Sequence, residues 1–169
     1  MRLEEANALG EREFIARLGA SFEHSPWIAG EAWKKKPFRS VDQLYEAMMK
    51  IIRQATREQQ LALLRAHPEL AGAEASGGAL TADSSSEQGR LGFTALTKNE
   101  FLRMGELNRR YREKFGFPCV VALGLHASRG SVIQQMEKRL ENDPATELAN
   151  ALEQVGHIAR GRLTKVFGT

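Results

Sequence analysis

The sequence predicts an all-α fold, an irregular single-domain bundle of about eight helices over residues 1–169. Three observations carry that expectation. Capping-box patterns recur at Ser40–Gln43, Thr56–Gln59 and Thr97–Glu100, each ahead of an apolar stripe at helical spacing. The one β-branched apolar run, Phe117-Pro118-Cys119-Val120-Val121-Ala122-Leu123, has no second run to pair with, so it reads as a buried extended connector. The chain has 169 residues, 42% apolar and 27% charged, which suits one domain with a sizeable core.

In chain order, the first helix is expected over about Glu11 to Phe22, with Phe14, Ile15, Leu18 and Phe22 on one stripe. Ser25 and Pro26 form a cap and first-turn pair that starts a short helix carrying Trp27, Ile28 and Trp33. The Ser40 box opens a helix with Leu44, Met48 and Ile51/Ile52. The Thr56 box opens another, with Leu61, Leu63 and Leu64, that stops at His67, because Pro68 disfavours α backbone in the residue before it. Small residues from Ala71 to Ala79 carry too little apolar area to pack as a core element. A brief helix is expected to open at Ser84-Ser85-Ser86-Glu87 and to loosen at Gly89 and Gly92.

The Thr97 box introduces the most regular helix, with Phe101, Met104, Leu107/Asn108, Tyr111 and Phe115 on one face and Gly116 where a left-handed cap belongs. Val132, Ile133, Met136 and Leu140 mark the next helix. Asp143-Pro144 starts the last, which carries Leu148, Leu152, Val155, Ile158 and Leu163.

Composition excludes several classes. No apolar run approaches the ~20 residues of a membrane span. The acidic N-terminus lacks an apolar signal region, so a cytoplasmic protein is expected. Cys119 is the single cysteine, which fits a reducing compartment. The net charge is +3, and the short runs Lys34–Lys36 and Arg109-Arg110-x-Arg112 read as solvated faces, not a nucleic-acid footprint. The four histidines lack the HExxH spacing, and phosphate loops and a GxSxG elbow are missing from the sequence. What remains is acid/base or electrostatic chemistry with no metal or other cofactor, or a non-catalytic binding module.

His67 is the centre of the acid/base reading. It sits at a helix end, and the loop after it is long enough to bring Ser84 and Glu87 beside it. In the last helix, Arg160 reads as a solvent-reaching side chain beside Ile158, and Arg162 as a second candidate beside Leu163.

Four blocks then resemble one family. They are His67-Pro68-Glu69-Leu70-Ala71-Gly72, Ser84-x-x-Glu87-Gln88, Asn108-x-x-Tyr111-x-x-Lys114-Phe115-Gly116-Phe117-Pro118, and Ile158-Ala159-x-x-Arg162-Leu163. Together with Phe22-Glu23-His24-Ser25-Pro26-Trp27, they are similar to the OHCU decarboxylases, which act on 2-oxo-4-hydroxy-4-carboxy-5-ureidoimidazoline (OHCU) in urate breakdown. The resemblance implies an all-helical, cofactor-free enzyme that yields (S)-allantoin from a small ureide substrate, usually as a homodimer. It implies His67 and Glu87 as catalytic residues, and Pro68, Ser84, Gln88, Phe117, Cys119, Val120, Val121 and Arg162 as substrate-binding ones, the Phe117–Val121 segment by its backbone. Two departures stand out. Cys119 replaces an expected aromatic, and Gly89-Arg90-Leu91-Gly92 is more charged than the family pattern.

Overall fold

The computed structural model describes residues 1–169 and is all-α, with no strands. Its ten helices are α1 (Leu3–Ala8), α2 (Glu11–Leu18), α3 (Trp27–Trp33), α4 (Val41–Gln54), α5 (Arg57–Arg65), α6 (Ala73–Ser76), α7 (Ala82–Arg90), α8 (Lys98–Phe115), α9 (Arg129–Arg139) and α10 (Pro144–Phe167). Eight of them have seven residues or more, in line with the expected count. Two short 3₁₀ turns, Gly19–Ser21 and Leu123–Leu125, supplement them. The chain forms two compact units, one of Met1–Ala66 with Gly156–Thr169 and the other of His67–Val155.

In the first unit, the caps follow the sequence patterns. The Ser40 hydroxyl accepts the Gln43 N–H, and Thr56 with Gln59 makes the reciprocal box. Phe14, Leu18, Leu44, Met48 and Ile52 are buried, as their spacing predicts; Phe22 is buried too, but in extended backbone, because α2 stops at Leu18 and not at Phe22. Three further details differ. The acidic N-terminus forms a six-residue helix, α1, held by Glu5 bonding back to Arg2. Ser25 does not cap α3; its hydroxyl donates to the Glu23 carbonyl, and the helix begins after Pro26. Trp27 and Trp33 are only half-buried, while Ile28, Ala29 and Ala32 fill the core beneath them.

In the second unit, α8 carries the expected Thr97–Glu100 box and buries Met104, Leu107, Asn108 and Tyr111. Gly116 ends it at φ 80°, a conformation that glycine adopts without Cβ strain. Phe101 departs from the predicted stripe. It lies in the first turn of α8, is 48% exposed, and lines a cavity of about 270 Å³ with Ala71, Ala75 and Phe93. The small-residue loop contains the four-residue α6, none of which is buried. Ser128 caps α9, and Asp143 caps α10 through the Thr146 N–H at 2.9 Å. Phe117–Leu123 is a largely buried connector, as its composition predicts, irregular to Ala122 and entering the 3₁₀ turn at Leu123. No helix is long and apolar enough to cross a membrane.

Candidate functional site

The site starts where α5 stops. Arg65 is its last residue and Ala66 its cap, so His67 follows immediately and Pro68 carries the chain away from the helix axis. His67 is buried, at 7% exposure. The next three residues are each held by a different side chain. The Glu69 carboxylate pairs with Arg112 of α8. The Leu70 carbonyl accepts from Asn108 Nδ2 at 2.8 Å. The Ala71 N–H donates to Gln88 Oε1 at 3.0 Å, and Gln88 Nε2 reaches the Glu69 carbonyl at 3.4 Å. Ala71 has φ 51°, the left-handed region that a side chain with a Cβ enters only under strain. Gly72 closes the turn, and a Cβ there would meet Glu69 Cβ at 2.9 Å.

Helix α7 opens earlier than Ser84. Thr81 is its cap and accepts the Ser84 N–H, so Ser84 lies in the first turn and does not cap the helix. This places Ser84, Glu87 and Gln88 at i, i+3 and i+4, on one helix face. Ser84 and Gln88 are buried and Glu87 is half-buried, while Ser85 and Ser86 are exposed. The bonds of Gln88 to Glu69 and Ala71 turn this face toward the segment that carries His67 and Pro68. Thus Gln88 ties the α7 face that also carries Ser84 and Glu87 to the turn that follows His67.

The connector that carries Phe117, Cys119, Val120 and Val121 is also held by side chains. Arg139 Nη1 donates to the Val120 carbonyl at 2.7 Å, and Gln154 Oε1 accepts the Ala122 N–H at 2.8 Å. Arg90 donates to the carbonyls of Leu123 and His126. The unusual charge after Gln88 therefore closes the end of the connector. Arg139 in turn bonds Glu147 at 2.8 Å, and the Tyr111 hydroxyl donates to the same carboxylate. Burial pushes the Tyr111 hydroxyl above its ordinary value and the Cys119 thiol up to about 12. Cys119 is an inert core thiol, and Tyr111 and Phe117 pack edge-to-face nearby with ring centroids 5.8 Å apart.

Arg162 belongs to the first unit. It is 5% exposed, with Nη1 on the Ala20 carbonyl at 3.1 Å and Nη2 on Glu23 at 3.4 Å. Arg160 behaves as expected at its tip: half-exposed, paired with Asp42 and lying over the Tyr45 ring. Sequence reasoning missed Glu23, Arg139 and Glu147 as partners. The available signal was a charge on an apolar stripe: Glu147 is four residues before Ala151, and Arg139 is three after Met136. No group of three or more His, Cys, Asp or Glu side chains is arranged to hold a metal ion.

Fold and site together define a class: an all-helical protein built around a buried histidine that follows a helix end, with a polar helix face tied to its turn. The family can be stated more narrowly. A family model described as OHCU decarboxylase matches residues 7–164, and the chain belongs to that family. It is 37% identical to the 2-oxo-4-hydroxy-4-carboxy-5-ureidoimidazoline decarboxylase of Haloferax volcanii, covering 100% of this chain and 98% of that protein. It is also 37% identical to the mouse protein of the same name, over 99% and 94% of the two chains. Among solved structures, (S)-allantoin synthase superposes with a TM-score of 0.79 at 28% identity; all of this chain is covered and 55% of that one, so the chain spans about half its length. An OHCU decarboxylase crystallised with (S)-allantoin shares the fold, with a TM-score of 0.69 at 22% identity over 95% and 100% of the chains.

Proposed function

We propose that this protein is a cofactor-independent carboxy-lyase that converts OHCU to (S)-allantoin in urate degradation. Family membership across residues 7–164 carries the reading. The bond from Gln88, on the α7 face that carries Ser84 and Glu87, to the turn after the buried His67 supports it. In the proposal, the protein works in the cytoplasm as a homodimer.

The chemistry suits these groups. Breaking the bond to the carboxylate leaves an electron pair, which the adjacent ring imine accepts, so the substrate supplies its own electron sink. The protein must then orient the ring and deliver a proton to one face. An imidazole titrates near neutrality and suits the proton transfer by His67. A carboxylate at Glu87 suits the N–H donors of the ureido and ring groups, with the Ser84 hydroxyl beside it. The backbone from Phe117 to Val121 supplies a rigid wall, and Pro68 restricts the chain at His67. The Arg162 fork suits a ring carbonyl that is retained.

The test is stereochemical. Freshly generated OHCU decays spontaneously to racemic allantoin, so circular dichroism of the product should grow in one sign only when the protein is present. A racemic product at an unaltered rate would overturn the proposal. Activity should also survive exhaustive chelation and dialysis. Loss restored by zinc or manganese would overturn the cofactor-free mechanism. Sedimentation equilibrium checks the dimer.

A further inference from the structure

The His67 turn is over-determined by groups that the proposed chemistry does not use. Asn108 is 5% exposed and Gln88 is 2% exposed. Between them they hold two consecutive peptide units by three groups: Gln88 spans the Glu69 carbonyl and the Ala71 N–H, and Asn108 takes the Leu70 carbonyl of the same unit as that N–H. A primary amide carries one acceptor and two donors a fixed distance apart, so Gln88 can satisfy both peptide groups with one side chain. The clamp closes on Ala71, which stands at φ 51°. A non-glycine residue persists in that region only where its surroundings leave no alternative. Both clamping groups are neutral, so they hold these peptides without adding a charge of their own; the charged pair of the turn, Glu69 with Arg112, runs side chain to side chain.

We infer that Gln88 and Asn108 are positioning residues that act on the reaction through the backbone of residues 69–71, setting where His67 stands. This deepens the decarboxylase reading and rests on it for its kinetic test. It moves Gln88 from the substrate contacts that the resemblance implies to the frame beneath the catalytic residue. It also gives Asn108 a task in the reaction that its place on the buried face of α8 does not by itself announce.

The variants are Gln88→Met and Asn108→Ala, each alone and each with Ala71→Gly added. Glycine adopts φ 51° without strain, so it keeps the turn near its native path when the clamp is cut. Each single variant should lose ~10-fold or more in kcat, within the ~10² that a 1 Å misplacement can cost. Affinity for (S)-allantoin, measured by calorimetry, should stay within about twofold, and Ala71→Gly should restore part of the lost kcat. A substrate contact behaves otherwise: allantoin affinity falls with kcat, and glycine at 71 restores nothing. That result overturns the inference, as does an unchanged kcat accompanied only by a lower Tm.

The His67 imidazole resonances provide a second readout that needs no turnover. They should shift and broaden in both single variants and recover with Ala71→Gly. If the unaltered protein gives no chiral product, the decarboxylase reading fails. The imidazole spectra then still decide whether the clamp positions His67, and unperturbed spectra in both single variants overturn it.

Discussion

Two irregular segments of the second unit, the His67–Ala71 turn and the Phe117–Leu123 connector, meet one requirement by opposite means. Each is largely buried, so its peptide groups must find partners other than water. The peptide groups of the turn are clamped by the neutral amides of Gln88 and Asn108, while its charged tie, Arg112 to Glu69, runs side chain to side chain. The connector is clamped chiefly by guanidiniums, Arg139 on Val120 and Arg90 on Leu123 and His126. A buried guanidinium is a stronger donor than an amide, but it brings a charge that must be balanced, here by Glu147. That field is harmless beside valines. At the turn, the Arg112 guanidinium meets the Glu69 carboxylate and not the backbone. The difference separates a segment held by a buried charged pair from one whose peptide groups are held by neutral amides.

The largest effect is expected from breaking the scaffold. Arg139→Met leaves Glu147, which is fully buried, without its cation, and should cost about 3–5 kcal/mol of stability. Urea denaturation measures it. Arg139→Met with Glu147→Leu should recover much of that loss, because the uncompensated charge goes with its partner. A single variant within ~1 kcal/mol of the unaltered protein would mean that the connector does not depend on this pair.

The turn should respond in kinetics, not stability. His67→Asn should lower kcat by about 10²-fold or more, the usual range for a general acid/base, with an unchanged far-ultraviolet spectrum. An unfolded variant would make His67 a core residue. A folded and fully active one would remove it from the chemistry.

This contrast also marks what the sequence makes legible. The eight longer helices and the connector could be read from capping boxes and apolar period, since both are local, whereas the short α1 and α6 could not. His67-Pro68 shows a helix end for the same reason. The clamps could not be read this way. Asn108 bonds a carbonyl 38 residues away, and Arg139 one 19 residues away. A buried polar side chain on an apolar stripe signals that a partner exists without saying which. The start of α7 was misplaced because Thr81, not the serine run, satisfies the first free N–H groups. Phe101 was misplaced because periodicity gives the face of a helix, but not where along it the core ends.

A smaller effect should separate Arg162 from its counterpart Arg139. Each is paired with a buried glutamate, but only Arg162 is assigned to substrate in the proposal. A bond to the departing carboxylate would be strongest in the ground state and would vanish as CO₂ forms, slowing the chemical step. On a retained ring carbonyl, the same fork meets charge that is kept or increased. Allantoin has that carbonyl and lacks the carboxylate. Methionine would remove the cation from beside Glu23, so lysine is the cleaner replacement: it keeps the charge and loses the fork. Arg162→Lys should weaken allantoin binding by about 1–3 kcal/mol, while Arg139→Lys should leave it unchanged. Equal allantoin affinity in both, with loss confined to carboxylated analogues, would make Arg162 a carboxylate clamp.

The smallest effect at working pH concerns Cys119, which tests whether the connector is as dry as its clamps imply. Burial raises this thiol from 9.0 to about 12, chiefly by penalising the thiolate; Arg139 opposes the shift and Glu147 adds to it. The sign follows from linkage. The folded state disfavours the charged form, so the contribution to stability is fully present below pH 9.0 and is lost as pH rises toward 12. At neutral pH the thiol is protonated in both states and nothing changes. Above pH 9.0, each further unit should remove at most about 1.4 kcal/mol. The Tyr111 hydroxyl, raised in the same direction, adds a second loss at higher pH, so the comparison must be made against Cys119→Ala. That variant should show a shallower decline in stability between about pH 9 and pH 11. Alkylation gives an independent check at pH 8, where native Cys119 should react only as fast as the protein unfolds. Ready alkylation without unfolding, or an alanine variant with the same pH slope, would mean that water reaches the connector, and its charged clamps would then be screened instead of buried.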